Sequence, residues 1–487
     1  MNNNNDKIRL FDKVTYGIGS VPLALKEATF GQFVLFFYTQ VLGLSGALTG
    51  LAIFLSVIWD AFSDPMVGAW SDRLNTRWGR RHPMMIAGTV PLALSFVMLF
   101  SPIEAVQNTQ WPLFFWLLFS VLALRTFLTV FYIPQNAMGA EITNDYAERS
   151  SISNFRTNLA WIAGVVLPAL CLIILFRGTE EQDGRFVYDN YATYGWVALG
   201  LILTTSSVCI AGTWKFIPRL KEVASRSLNT PGFIGMVKDT LTTLNNINFR
   251  LIFLLEIAVG GTLGILGALQ MITWTYFWEL SVAQISLLAI APLAAVICTF
   301  PAMSWMCRRW EKQSLLRFAV AGLVFNALWL VPGRLLGLLP ENGTQLIFLL
   351  IFVNTMITSG LTIMRTVNLH SIMADIADEH ELQTGRRQEG VFYAASTFAL
   401  KFVMGFGYMI AGPLLDIVSL EPGSAPGDAS ASALFGIGIV VGPVMVILLI
   451  IPWWLAHRIN VSRARLEEVQ LGLKQRSTPA TLNPLPK

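Results

Sequence analysis

Of the chain's 487 residues, 54% are hydrophobic and only 13% are charged, and the mean hydropathy is +0.57. A soluble chain carries roughly 25% charge, so a water-exposed globular protein is excluded. The net charge of +4 follows from basic loops between apolar runs, which is a topological bias and no footprint for nucleic acid.

The segment Met1–Asp6 is polar, and the first apolar run is too long for the core of a cleavable leader. Apolar stretches near 20 residues then recur to the end, each long enough for a bilayer core of about 30 Å. In chain order they predict twelve transmembrane helices, at about 14–42, 47–70, 83–101, 111–138, 152–176, 193–215, 250–278, 281–303, 314–337, 344–369, 391–419 and 432–457. One set of loops holds Lys7, Arg9, Lys13; Arg73, Arg77, Arg80, Arg81; Lys215, Arg219, Lys221; Arg308, Arg309, Lys312; Arg386, Arg387; and Arg458, Arg463, Arg465. The opposite set carries little beyond Arg177, Arg185 and Arg334. Positive charge stays inside, so both termini are expected in the cytoplasm of a multi-pass inner-membrane protein.

The longest polar linker follows the sixth span. It divides the chain into an N-terminal six-helix bundle (1–216), a central cytoplasmic loop (217–249), a C-terminal six-helix bundle (250–460) and a cytoplasmic tail (461–487). The halves share a trace of sequence: Ala140-Glu141-Ile142-Thr143-Asn144-Asp145-Tyr146 after the fourth span matches Ala374-Asp375-Ile376-Ala377-Asp378-Glu379-His380 after the tenth. Two six-helix halves with a central loop is the layout of transporters that rock two bundles about a midplane site. The four cysteines have no metal-ligand spacing and read as buried thiols.

Charges inside apolar spans carry the chemistry, because each is costly in hydrocarbon. Asp60 and Asp64 lie four residues apart, on one face of a helix. With the Ser63 hydroxyl they form an oxygen-rich set suited to a hard cation such as Na⁺. The plain alternative is a structural ion pair to Arg125 or Lys401. Lys26, Glu27, Arg125, Arg156, Glu256, Arg365, Lys401 and Asp416 are the other ionisable groups expected deep in the spans. Basic groups outnumber acids around the aspartate pair, which favours an anionic solute. On the cytoplasmic side, Asp72, Arg73, Arg77, Arg80 and Arg81 face a choice between lipid contact and a charge lock to Asp145, Glu148, Asp375, Asp378 or Glu379. The four histidines do not cluster, and no phosphate-binding loop or nucleophile elbow is present. Neither an enzyme nor an ATP-driven pump has support. Glycines at 260, 261, 264 and 267, and at 405, 407 and 412, are expected at close helix crossings.

Asp60-Ala61-Phe62-Ser63-Asp64-Pro65, Gly68, Asp72-Arg73 and Arg77-Trp78-Gly79-Arg80-Arg81-His82-Pro83 resemble the glycoside–pentoside–hexuronide:cation symporter family, a melibiose permease-like branch of the major facilitator superfamily. Tyr16-Gly17, Ile133-Pro134, Glu141 through Tyr146, Glu148-Arg149, Arg156, Asp378-Glu379 and Thr384-Gly385-Arg386-Arg387 also fit. The resemblance implies an all-α fold of twelve helices in two bundles. It implies a coupling cation (Na⁺, Li⁺ or H⁺, with no other cofactor) at Asp60, Asp64, Ser63 and the Thr129 hydroxyl. Arg156 and Lys401 match a site arginine and a helix-eleven lysine, and Arg149 belongs to the cytoplasmic gate. Two departures stand out. The family's sugar-binding carboxylate on helix one falls on Ala24, and its helix-four partner acid falls on Tyr132. The retained pattern is similar to the lysolipid-carrying branch and equally suits an acidic sugar. Lys26, Glu27, Arg125 and Tyr132 become the candidates for this chain's own solute contacts.

The sequence therefore predicts a monomeric symporter in contact with membrane lipid. It would import a glycoside, hexuronide or other anionic sugar, with an amphiphile such as a lysophospholipid as the alternative solute. A membrane sensor on the same fold would need no costly Asp60, Asp64 and Lys401.

Overall fold

The computed structural model describes residues 8–143, 145–179, 182–224, 246–384, 389–460 and 468–472. Much of the expected central loop, most of the tail, and Arg386 and Arg387 lie outside them.

Twelve helical passages cross the molecule among the described residues. Eleven are long and apolar enough to span a membrane. They are α2 (Gly46–Arg73), α3 (His82–Phe100), α4 (Gln110–Glu141), α5 (Tyr146–Leu175), α6 (Tyr188–Thr213), α7 (Ile247–Ile272, extended by Thr273–Phe277), α8 (Val282–Leu288 and Ile290–Met306), α9 (Lys312–Ala327 and Leu330–Leu335), α10 (Gln345–Thr384), α11 (Glu389–Ile417) and α12 (Ala431–Ile439 through Met445–Arg458). The first passage, α1, is segmented: Leu10–Ile18, Val21–Thr29, then π-helical stretches Phe30–Val34 and Phe37–Val41. Single π turns inside a helix often mark functional sites.

The predicted boundaries fall short at the charged ends. The fourth span continues to Glu141, just past the expected 138, and the tenth to Thr384, well past the expected 369. Polar residues beyond the lipid still extend a helix once its apolar part has nucleated it. The two copies of the short sequence repeat consequently differ: α4 stops at Glu141, whereas Ala374–Glu379 remain helical.

The first six passages pack together, with α3 against α4 and α6, α2 against α4, and α1 against α5 and α6. The last six repeat the arrangement, α7 lying against α11 and α12, and α10 against α8 and α9. The bundles meet where α2 lies along α11, α5 touches the start of α8, and the π stretch of α1 meets α7. On α2 the outward stripe Trp59, Phe62, Met66 and Trp70 is exposed. Such a row of bulky apolar side chains at helical spacing is the surface a bilayer covers.

Glycines build the crossings at most of the expected positions; Gly267 is the exception, since a Cβ there would meet nothing within 4 Å. A Cβ on Gly407 would lie 2.5 Å from the carbonyl carbon of Gly264, so α7 and α11 touch backbone to backbone. Across the bundles, a Cβ on Gly412 would lie 2.1 Å from the carbonyl oxygen of Gly46. The cysteines divide: Cys171 and Cys209 are buried, but Cys298 and Cys307 are exposed, contrary to the uniform burial expected.

Candidate ion and solute site

α2 and α4 run in the same direction with a constant offset. Asp60 pairs with Arg125, and the Thr129 hydroxyl donates to Asp64 Oδ1 at 2.8 Å; each pair is separated by 65 residues. Two acids four apart thus face a base and a hydroxyl four apart. Trp59 Nε1 donates to Thr126 Oγ1 at 2.8 Å and fixes the same register from the outer face. From the other bundle, Lys401 Nζ on α11 stands 3.5 Å from Asp64 Oδ2.

Both basic neighbours weighed from the sequence are therefore at the acids, and the pair is not left bare. Coordination is still incomplete. Asp60 Oδ1 and Ser63 Oγ are buried without a hydrogen-bond partner. A buried oxygen in that position loses its water without replacement. Asp60, Ser63, Asp64 and Thr129 together offer carboxylate and hydroxyl oxygens only, the donor set of a hard monovalent cation. Among the described residues no three His, Cys, Asp or Glu side chains gather as a transition-metal site would need.

The solute candidates are also placed. Lys26 Nζ sits 2.5 Å from Glu27 Oε1, so its partner is its own neighbour and no other helix's acid. Lys26 is buried while the Glu27 side chain is 61% exposed. The Phe30 ring lies 5.9 Å from Lys26 Nζ and 5.0 Å from the Arg125 guanidinium, a ring shared by two cations. Tyr132 accepts from Arg156 Nη1 at 3.5 Å. Tyr16, Asn136, Arg149, Ser153 and Arg156 line a cleft of about 300 Å³ toward the terminal end of the same bundle. Ala24 is buried against Ala163 and Leu167 of α5.

A further chamber had no sequence signal. Gln32, Gln270, Trp274 and Thr355, from α1, α7 and α10, line about 170 Å³ with Leu172 and Ile285. Neutral amides on separate helices carry no charge penalty to betray them in a sequence.

Several of the expected cytoplasmic charges pair within their own bundle. Glu141, absent from the expected lock, accepts from Arg80 at 2.9 Å and Arg81 at 2.6 Å, and Arg81 also reaches Asp72 at 2.7 Å. Glu148 takes Lys13 at 2.9 Å, Asp145 caps α5 through the Glu148 N–H at 2.8 Å, and Arg149 Nε donates to the Thr143 carbonyl at 2.9 Å. Arg77 lies over the Trp78 ring, Arg73 ends α2 in the open, and Lys312 holds Asp375 at 2.7 Å. Asp378 and Glu379 also have partners.

Further bonds between the bundles stand at the opposite end, where sequence reasoning looked for none. Arg185, fully buried and held by Asp183, donates to Thr275 Oγ1 at 2.8 Å; Tyr276 donates to Gln40 Oε1 at 2.8 Å. Asp416 Oδ1 accepts from the Gly46 N–H at 2.8 Å. Asp416 is exposed at the end of α11, not deep in its span as expected. Among the described residues, these bonds hold the two bundles together at the end away from the termini.

Known proteins agree with this architecture. A bacterial homologue of the iron transporter ferroportin, solved in an inward-facing state, superposes with a TM-score of 0.60 over 92% of this chain and 100% of its own, at 12% identity. The putative glycoside/cation symporter YagG of Escherichia coli is 24% identical over 86% of this chain and 85% of its own. The sodium-dependent lysophosphatidylcholine symporter 1-A of Danio rerio is 21% identical over 96% of this chain and 90% of its own. The profile of the MFS/sugar transport proteins matches residues 15–463, and the chain belongs to that family of membrane transporters.

Proposed function

We propose that this transporter couples a monovalent cation to an anionic organic solute by exchange of partners at Asp60 and Asp64. The observation that carries the reading is the pairing of these acids with Arg125 and Lys401 beside unpartnered Asp60 Oδ1 and Ser63 Oγ. A cation entering that oxygen set offsets one of the two carboxylate charges and loosens the hold of the acids on their basic partners. Arg125 and Lys401 are then free to meet an anion in the cavity, where Arg156 adds a third positive charge. The affinity each ligand gains from the other is equal by linkage.

The solute is an anionic sugar or glycoside. Arg125, Lys401 and Arg156 suit its carboxylate, sulfonate or phosphate. The amides of Gln32 and Gln270 and the indole of Trp274 suit the hydroxyls and apolar face of a ring. Ala24, apolar where the sugar carriers this chain resembles place a carboxylate, favours an acid-bearing solute over a plain galactoside. A lysophospholipid-like amphiphile is the second reading, supported by the similarity to the lysophosphatidylcholine symporter over nearly the whole chain. The bias of basic loops supports an inner-membrane protein with both termini in the cytoplasm. The Arg80–Arg81–Glu141 cluster and its acidic counterparts on α10 serve as the inner gate, re-pairing when the carrier faces outward.

The test is thermal stabilisation of the purified protein by a panel of glucuronides, sulfonated sugars, neutral glycosides and lysophosphatidylcholine, with and without Na⁺. A shift that grows with Na⁺ in the parent and loses that dependence in Asp64→Asn is expected. A stabilising solute indifferent to every cation tested overturns coupling and makes the protein a uniporter.

A further inference from the structure

We infer that Asp416 is a positioning residue that latches the outer gate, gripping the N-terminus of the helix that carries the ion site. The first turn of any helix leaves N–H groups without intrahelical acceptors and concentrates partial positive charge there. In α2 these donors are claimed from the other bundle. Asp416 Oδ1 accepts from Gly46 N at 2.8 Å, and Oδ2 accepts from Ala47 N at 2.8 Å and Ser45 Oγ at 2.9 Å. The residues bonded are about 370 apart in sequence. α2 already has a local cap, since Ser45 Oγ accepts from Leu48 N. The carboxylate is therefore not needed to start the helix. What it adds exists only while α2 and α11 are together.

The grip continues inward along one face of α11. Lys401, Gly405, Tyr408, Gly412 and Asp416 follow at intervals of four, three, four and four, which keeps them in line. Gly412 meets Gly46, the Tyr408 carbonyl would lie 2.4 Å from a Cβ on Gly50, and Gly405 meets Val57. Tyr408 Oη also donates to the Phe30 carbonyl in the π stretch of α1 at 3.1 Å. Over about 22 Å, at roughly 1.5 Å per residue, α11 thus follows α2 from Asp64 to its first turn. Opening the outer end requires the Asp416 bonds to break first, because they are the outermost of the row. A cation that draws Asp64 from Lys401 loosens the same row from its inner end. Glycine at positions 46, 50, 405 and 412 lets the faces touch, but it is the acid that makes the closed state hold.

The experiment uses the full-length protein with Cys298→Ser and Cys307→Ser, and spin labels on Asn108→Cys and Glu341→Cys, exposed positions near the outer ends of the two bundles. The distance distribution reports outer opening without solute or transport, so it is independent of the coupling proposed above. Asp416→Asn keeps the side chain's size and removes its charge. It is expected to raise the ratio of open to closed outer ends about tenfold, which corresponds to about 1.4 kcal/mol. Ser45→Ala, which removes one of the three bonds, gives a smaller rise in the same direction. Asp428→Asn, an exposed acid in the neighbouring loop, leaves the distribution as in the parent. Should Asp416→Asn fold poorly, Ser45→Ala alone decides. Distributions for both variants that superimpose on the parent, or an equal rise from Asp428→Asn, overturn the latch.

Discussion

Gln40 and Tyr276 bond to each other at 2.8 Å from equivalent places in the two halves, 236 residues apart. Around each, the chain does the same thing. A π turn begins at Phe37 or Thr273; Leu42 N donates to Phe37 O, and Trp278 N to Thr273 O; Leu44 N reaches Tyr38 O, and Leu280 N reaches Trp274 O. Ser45 then caps α2 as Ser281 caps α8. Two copies of one helix end face each other across the midline and are stitched where they meet. Removing the stitch with Tyr276→Phe leaves a buried Gln40 oxygen unpaired and should lower stability by roughly 1 kcal/mol, measured as thermal unfolding in detergent. An unchanged melting temperature contradicts that role.

The same duplication makes a conformational prediction. Gly43 (φ 70°) and Glu279 (φ 49°) hold the equivalent left-handed position. Only glycine adopts it without strain, which for other residues is roughly 1–2 kcal/mol. Gly43→Ala should therefore destabilise, whereas Glu279→Gly should be neutral or stabilising. Equal losses from both changes would contradict the assignment.

Arg125 is expected to be more than a solute contact. Arg125→Ala leaves the Asp60 carboxylate in a largely buried site with no partner, a change of about 3 kcal/mol against the fold. Na⁺ should restore part of that loss, because a cation can take the vacated place. Thermal unfolding with and without Na⁺ reads this directly, and a loss that Na⁺ does not relieve argues against ion binding at Asp60.

In the second bundle Arg365 Nη1 lies 2.5 Å from Glu256 Oε1, with the two side chains 3% and 5% exposed. Glu256→Ala should cost roughly 3 kcal/mol or more, since it strands a buried guanidinium. Lys312→Ala opens the half-exposed bridge to Asp375, worth about 1 kcal/mol or less. The order of the two unfolding shifts is the check.

Gly412→Ala pushes a methyl group against the Gly46 backbone, and neither side can yield by rotating a side chain. It should part the outer ends of α2 and α11 and abolish transport. Gly267→Ala has nothing within 4 Å of its Cβ. That change should raise stability by about 0.5–1 kcal/mol, the helix preference of alanine over glycine. Equal effects at the two sites, read by unfolding and by uptake into liposomes, would rule out the close crossing as the cause.

The sequence by itself determined the class of fold and singled out the two acids of the candidate ion site. Hydrocarbon makes each buried charge and each break in apolar character expensive, so twelve spans, basic loops and the pair Asp60 and Asp64 stand out one residue at a time. Asp416 shows the limit of that reading: its charge was visible, but a burial depth counted along one helix could not reveal that it belongs to the first turn of another. The partnerships were decided only in three dimensions. Arg125 meeting Asp60, Glu141 gathering Arg80 and Arg81, Gln40 meeting Tyr276, and the uncharged chamber at Gln32 and Gln270 all depend on which helices lie side by side. That choice is set by glycine-lined backbone crossings and by side chains whose polar atoms find one another across separate helices. Local pattern carries no record of a partner one bundle away.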